Sequence, residues 1–144
     1  MSRWLALSVT LFVLTGTLGV AQKVVGSEEF DRAMKTIGTA IEGVNLAIGS
    51  KSYVDAKLPL ALSRQVLAST RPVWETKRKP DAVRKTREAV ARLDALDRAL
   101  SVNAIDAKTV AEAVEDVTEA CNACHAMYRE GDEQTGYQIK AVFR

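Results

Sequence analysis

The chain has 144 residues, with 20 lysines and arginines against 18 aspartates and glutamates and a formal charge of +2. That near balance argues against a nucleic-acid binder, and 47% hydrophobic residues are ample for one packed domain rather than a disordered polymer. Only two cysteines and one histidine are present. A zinc site closed by four such ligands is therefore out of reach.

Met1-Ser2-Arg3 puts one positive charge ahead of an apolar run, Trp4 to Leu14, broken only by Ser8 and Thr10. Small residues follow and end at Gly19-Val20-Ala21, a small-x-small pattern that predicts a secretory signal peptide over residues 1–21, cut after Ala21. The run is short for a membrane span. The expectation is a mature chain of residues 22–144, exported to the periplasm, one domain in size, with no membrane insertion.

Phe30, Met34, Ile37, Ile41, Val44 and Ile48 recur in steps of three and four, which predicts a first helix with one apolar stripe. Ser27 is the expected N-cap, Glu28 and Glu29 suit the first turn, and Gly49 is placed to end the helix. A second helical stretch runs from about Tyr53 to Trp74, its stripe read as Leu58, Leu62, Val66 and Leu67. Ser52 is its expected cap, Pro59 is tolerable near the start, and Pro72 should kink or end it. Lys77-Arg78-Lys79-Pro80 reads as a loop. A third helix starts at Asp81 with Val83, Val90, Leu93, Leu96 and Leu100 inward, and Asn103 to Asp106 breaks it. The fourth helix carries Val110, Val114, Val117, Cys121, Cys124 and Tyr128 on one stripe. Gly131 to Arg144 is expected to extend loosely as a polar tail of about residues 130–144. No period-two strand pattern competes, so the fold class is all-α, with short connections that favour an antiparallel four-helix bundle.

Cys121-Asn122-Ala123-Cys124-His125 uses every cysteine and the sole histidine. CxxCH is the attachment spacing of c-type haem: both thiols fall on one helix face and form thioethers with the vinyl groups, while the imidazole reaches the iron. Because the cysteines continue the apolar stripe, a haem attached there lies in the core. A thioredoxin-like use of CxxC would sit beside a βαβ pattern, which is missing. A haem-free thiol switch is the remaining rival from another class.

With Cys121-x-x-Cys124-His125-x-x-Tyr128-Arg129 at its end and Phe30-x-x-x-Met34-Lys35-x-x-Gly38 in its first helix, the chain resembles the cytochrome c′ family, the class II c-type cytochromes. The resemblance spans about Phe30 to Arg129 and is specific at the C-terminal motif. It implies an up-down-up-down bundle holding one covalent haem c, with Cys121 and Cys124 as attachment points and His125 as proximal iron ligand. Family members place the distal residue on the first helix. In low-spin members it is a methionine; in high-spin members the iron is five-coordinate and takes nitric oxide or carbon monoxide.

Of the two methionines in residues 22–144, Met127 points about 200° from His125 around the same helix. That leaves Met34, on the inward stripe one turn before Gly38, as the distal ligand the resemblance implies, a thioether that favours electron transfer over gas binding. The rival is a five-coordinate, gas-binding cytochrome c′ in which Met34 only fills the distal pocket. Arg129, four residues past His125, resembles the family's basic residue near the proximal histidine, and Tyr128 packs on haem or core. Trp74 is a candidate cover for a haem edge. The basic group Lys77, Arg78, Lys79, Arg84, Lys85 and Arg87 faces acidic Glu112, Glu115, Asp116 and Glu119 in the sequence balance, a pattern suited to steering a redox partner protein. The resemblance also implies a homodimer through the first two helices. With the only histidine committed to iron, no general base remains for nucleophilic catalysis, and a non-enzymatic carrier is expected.

Overall fold

A computed structural model describes residues 26–132 and 134–143, so the signal-peptide segment 1–21 lies outside the described residues. The fold is all-α apart from one small hairpin. The helices are α1 (Ser27–Gly49), α2 (Tyr53–Ser69), α3 (Arg71–Thr76), α4 (Pro80–Ala99) and α5 (Ala107–Tyr128). α1 packs chiefly along α2, α4 along α5, and α2 against α4, while short α3 rests on α4. Among the described residues no helix is long and apolar enough to cross a membrane.

α1 follows its predicted stripe: Phe30, Ile37 and Val44 are buried, with Met34, Ile41 and Ile48 half-buried beside them. Its start differs by one residue. Gly26 occupies the cap, Ser27 is already helical, and no side chain caps the end. Gly49 is the last helical residue, but the chain turns two residues later. Lys51 adopts φ 58°, and Ser52 and Lys51 donate N–H bonds back to the carbonyls of Ala47 (2.8 Å) and Ile48 (2.9 Å). This is a Schellman closure with lysine where glycine costs least. α3 closes the same way, with Arg78 at φ 54° and Lys79 and Arg78 donating to Trp74 (2.9 Å) and Glu75 (3.0 Å).

The second predicted helix is divided at Thr70, ahead of Pro72, as a proline without an amide hydrogen requires. Thr70 is fully buried and its hydroxyl donates to the Leu67 carbonyl at 2.7 Å. Pro59 lies inside α2, and Ser63 bonds its carbonyl at 2.9 Å. The predicted inward stripe of α2 holds at half-buried Val66 and Leu67 but needs correction at Leu58 and Leu62. Leu58 is 80% exposed and Leu62 44%, whereas Ala56, Leu60 and Ser63 are buried. α2 packs along α1, with the Pro59 ring in ordinary van der Waals reach of Gly43 and Leu60 turned inward.

α4 begins at Pro80, a favourable first helical position, and buries Ala82, Thr86, Ala89, Leu93 and Leu96. Its polar edge is tied to both neighbours by Lys57–Asp97 (2.6 Å), Arg64–Asp94 and Arg92–Asp116 (2.9 Å). Each is largely exposed and contributes little individually. Asp106 caps α5, accepting from the Thr109 amide at 2.9 Å.

The segment after α5 also departs from expectation. Arg129–Glu130 (β1) pairs antiparallel with Gln138–Ile139 (β2), and a short 3₁₀ turn covers Ala141–Phe143. Gly131 has φ +89°, and a Cβ there would meet the Gly136 carbonyl at 2.0 Å, so this turn needs glycine. The Asp132 carboxylate accepts from the amides of Thr135 (2.8 Å) and Gln134 (3.1 Å) and sets the bend. Buried Ile139 and the Phe143 ring then dock on the end of α5. Two aromatic or aliphatic anchors in a polar stretch suffice to fold it back.

The core divides into two clusters. One gathers Phe30, Ala33, Val73, Trp74, Ala82, Tyr128 and Ile139; the other centres on Val44, Leu60, Leu93, Leu96, Val110 and Val117. The corrected α2 register predicts that Leu60→Ala costs about 2–5 kcal/mol in denaturant unfolding. In dilute solution Leu58→Ala, two residues away, should change stability by less than about 0.5 kcal/mol.

Candidate functional site

Cys121 and Cys124 lie one turn apart on the inward side of α5, both half-buried and neither in a disulfide. Their surroundings differ. Cys121 packs against the second cluster and Cys124 against the first, so the pair straddles the seam between them. Burial pushes the Cys124 thiol up to about 11, opposed only in part by the charge of Lys85, and burial raises Cys121 too. Such thiols are protonated at neutral pH and poor nucleophiles toward disulfides or alkylating agents.

His125 follows on the same turn and is half-buried. Burial, and then the positive charge of Arg129, lower its pKa, which favours the neutral imidazole that a metal requires. The ring makes no hydrogen bond to any described residue. Met34, on α1, is half-buried and packs against the cluster that Cys124 also touches, so the fold brings the predicted distal residue to the same part of the core. An added Cβ at Gly38, one turn on, would meet nothing within 4 Å. The donor set fits a haem in its chemistry: two free thiols on the inward side of α5, an unpartnered imidazole beside them, and a thioether on α1 packed against the cluster that Cys124 touches. Met127, by contrast, is 43% exposed and belongs to neither cluster. Among the described residues there is no group of three or more His, Cys, Asp or Glu side chains able to hold a metal ion.

The remaining predicted residues are employed in holding the site's end of the molecule. Tyr128 is 4% exposed, tilted against Trp74 at 4.8 Å between ring centroids and against Phe143 at 4.8 Å. Its hydroxyl donates to the Asp81 carboxylate. Trp74 is a core residue, meeting Phe30 edge-on at 5.2 Å. Arg129 begins β1, and its guanidinium lies 4.2 Å above the Tyr137 ring, a cation–π contact that directs it to the hairpin. Lys140 reinforces the attachment: its amide donates to the Tyr128 carbonyl (2.8 Å) and its ammonium to the Ala126 carbonyl (3.0 Å). These satisfy carbonyls that the end of α5 leaves open.

Sequence reasoning passed over Asp81, Tyr137, Phe143 and Lys140. Asp81 carried a signal only as a helix start, and the tail's aromatics are too sparse to show a period.

The hydrogen bond from Tyr128 holds the Asp81 carboxyl below its ordinary range, while burial, then Asp81, push the tyrosine up to about 12. A depressed folded-state carboxyl pKa contributes stability above the unfolded value of about 3.9 and loses it as pH falls through the folded value. Tyr128→Phe should therefore cost on the order of 1 kcal/mol at pH 7. That difference from the wild type should shrink on acidification below about pH 4, as measured by urea unfolding across pH.

No protein-family model, curated protein or solved structure matches the chain.

Proposed function

We propose that this chain is a periplasmic monohaem c-type cytochrome of the cytochrome c′ class that carries single electrons, its helices forming an antiparallel up-down-up-down four-helix bundle. The observation that carries the reading is the placement of Cys121 and Cys124 at the seam of the two core clusters, with Met34 packed against the cluster that Cys124 touches. The neighbour order α1–α2, α2–α4, α4–α5 supports the bundle.

In this reading Cys121 and Cys124 would hold the haem on α5 through thioether bonds. His125, whose pKa burial and then Arg129 lower toward the neutral imidazole, would offer a ring nitrogen to the iron. Met34 offers its sulfur from α1. Bound there, the haem supplies a one-electron couple whose potential the thioether ligand raises. The apolar surroundings of both clusters exclude water and fix the ligands, so little rearranges on a change of charge. The raised thiol pKa values speak against the thiol-switch rival, which needs an accessible thiolate.

A homodimer belongs to the same proposal. Leu46, Val54 and Leu58, all at least 68% exposed, lie with Leu62 along the α1–α2 pair. Such a cluster of exposed large side chains is rare on a monomer. Sedimentation should give twice the chain mass, and Leu58→Glu should give the single chain.

Haem staining after denaturing electrophoresis tests the covalent link: the wild type should stain and Cys121→Ala/Cys124→Ala should not. Optical spectra test the ligands. The wild type should be low-spin, carry a sulfur-to-iron charge-transfer band and ignore carbon monoxide, whereas Met34→Ala should be high-spin and shift when the gas is added. A wild type that binds carbon monoxide would assign the protein to the five-coordinate, gas-binding members instead.

A further inference from the structure

Where α3 turns into α4, a groove of about 410 Å³ opens on the surface, walled by Trp74 and Val83 and ringed by Arg78, Lys79, Arg84 and Arg87. Its charge is poorly compensated. Glu75, the acid in its lining, is paired with Arg71 at 3.0 Å, and Arg84 is paired with Glu88 at 2.7 Å. Arg78 and Arg87 form no ion pair with any described residue, and the Lys79 ammonium lies 4.7 Å over the Phe143 ring. Lys77 and Lys85 flank the groove in sequence, so a chain of net charge +2 gathers six cations in the eleven residues from Lys77 to Arg87. A concave site ringed by one sign of charge focuses the potential and attracts the opposite charge.

Two further features set this groove apart from an ordinary solvated face. Arg78 stands at φ 54°, in the position of the α3 closure where glycine costs least. There it holds a guanidinium at the groove. Trp74, which forms its inner wall, stacks on Tyr128 and belongs to the cluster that Cys124 packs against. The inner wall of the basic groove thus belongs to the same core cluster that Cys124 of the CxxCH motif packs against.

We propose that this groove docks a carboxylate-rich surface of a redox partner protein, and that the electron crosses at the Trp74 wall. The inference rests on the carrier reading above. A concave, aromatic-walled recess suits the projecting acidic side chains of a protein better than the plane of a lipid surface.

The test uses the haem-loaded mature protein and the double variant Arg78→Gly/Arg87→Gln. Glycine at position 78 relieves the left-handed backbone, so loss of fold does not confound the result. Lys51→Gly, the same change at the far end of α1, is the matched control. Trp74 is the only tryptophan of residues 22–144, so its indole N–H resonance is unambiguous. Hexacyanochromate(III), a paramagnetic anion that need not react, should broaden that resonance in the wild type and the control but not in the double variant.

In the second readout one electron passes from the reduced protein to hexacyanoferrate(III), giving hexacyanoferrate(II) with no bond made or broken. At low salt the double variant should react about tenfold more slowly than the wild type or the control, a difference that vanishes at high salt. With the cation tris(phenanthroline)cobalt(III) the double variant should be no slower. Unchanged broadening, or an unchanged hexacyanoferrate rate, overturns the docking site. Co-sedimentation with phosphatidylglycerol vesicles that the double variant loses reassigns the groove to a membrane surface and overturns the protein partner. A wild type that fails the denaturing haem stain overturns the carrier reading, and the partner site with it, and is recognised separately on the gel.

Discussion

Trp74 is buried between Phe30 of α1 and Tyr128 of α5, and the Tyr128 hydroxyl reaches Asp81 at the start of α4. Four helices therefore meet through one set of rings and one charge-assisted hydrogen bond. Large aromatic side chains bury 150–250 Å² each and add directional preferences that aliphatic packing lacks, so this contact fixes angles as well as distances. Because Tyr128 lies three residues after His125 on the same helix, whatever holds Tyr128 also fixes the orientation of the CxxCH turn. The hairpin adds to the same clasp from outside, laying Phe143 on the far side of Tyr128 and Lys140 on the helix-end carbonyls.

At the other end of the molecule the packing is aliphatic and small. Leu60, Leu93, Leu96, Val44 and Val110 are each no more than 2% exposed. Buried hydroxyls add no orphan polar groups, since Ser63, Thr70 and Thr86 all bond carbonyls of their own or the preceding turn. The second cluster supplies a rigid stem and the aromatic clasp a rigid head, and the two cysteines stand where these meet.

The charged groups follow a similar division. Ion pairs between helices run along the exposed edges of α2, α4 and α5, where they discriminate between registers more than they stabilise. The excess cations collect at the α3–α4 turn, beside the clasp rather than the stem. The positive potential thus concentrates at the end of the molecule that holds the aromatic clasp.

Much of this was legible in residues alone. The stripes of α1, α4 and α5 were read correctly because each alternates large apolar side chains with charged ones at helical spacing, and the division at Pro72 follows from a missing amide hydrogen. The CxxCH grouping was legible too, since the placement of two thiols and an imidazole on one turn depends only on helix geometry. α2 was misread in its first half: its leucines are periodic on two faces, and which face is buried depends on the neighbouring helices, which turn Leu60 inward and leave Leu58 and Leu62 outside. The tail escaped for a related reason, because its fold rests on contacts with α5 and not on any pattern within it. Local spacing therefore determined the helices and the cysteine–histidine constellation. Only the tertiary structure decided which face of α2 is buried, that Met34 and Cys124 pack against one cluster, and that Asp81 and the hairpin secure Tyr128, because those outcomes are set by contacts between segments far apart in the chain.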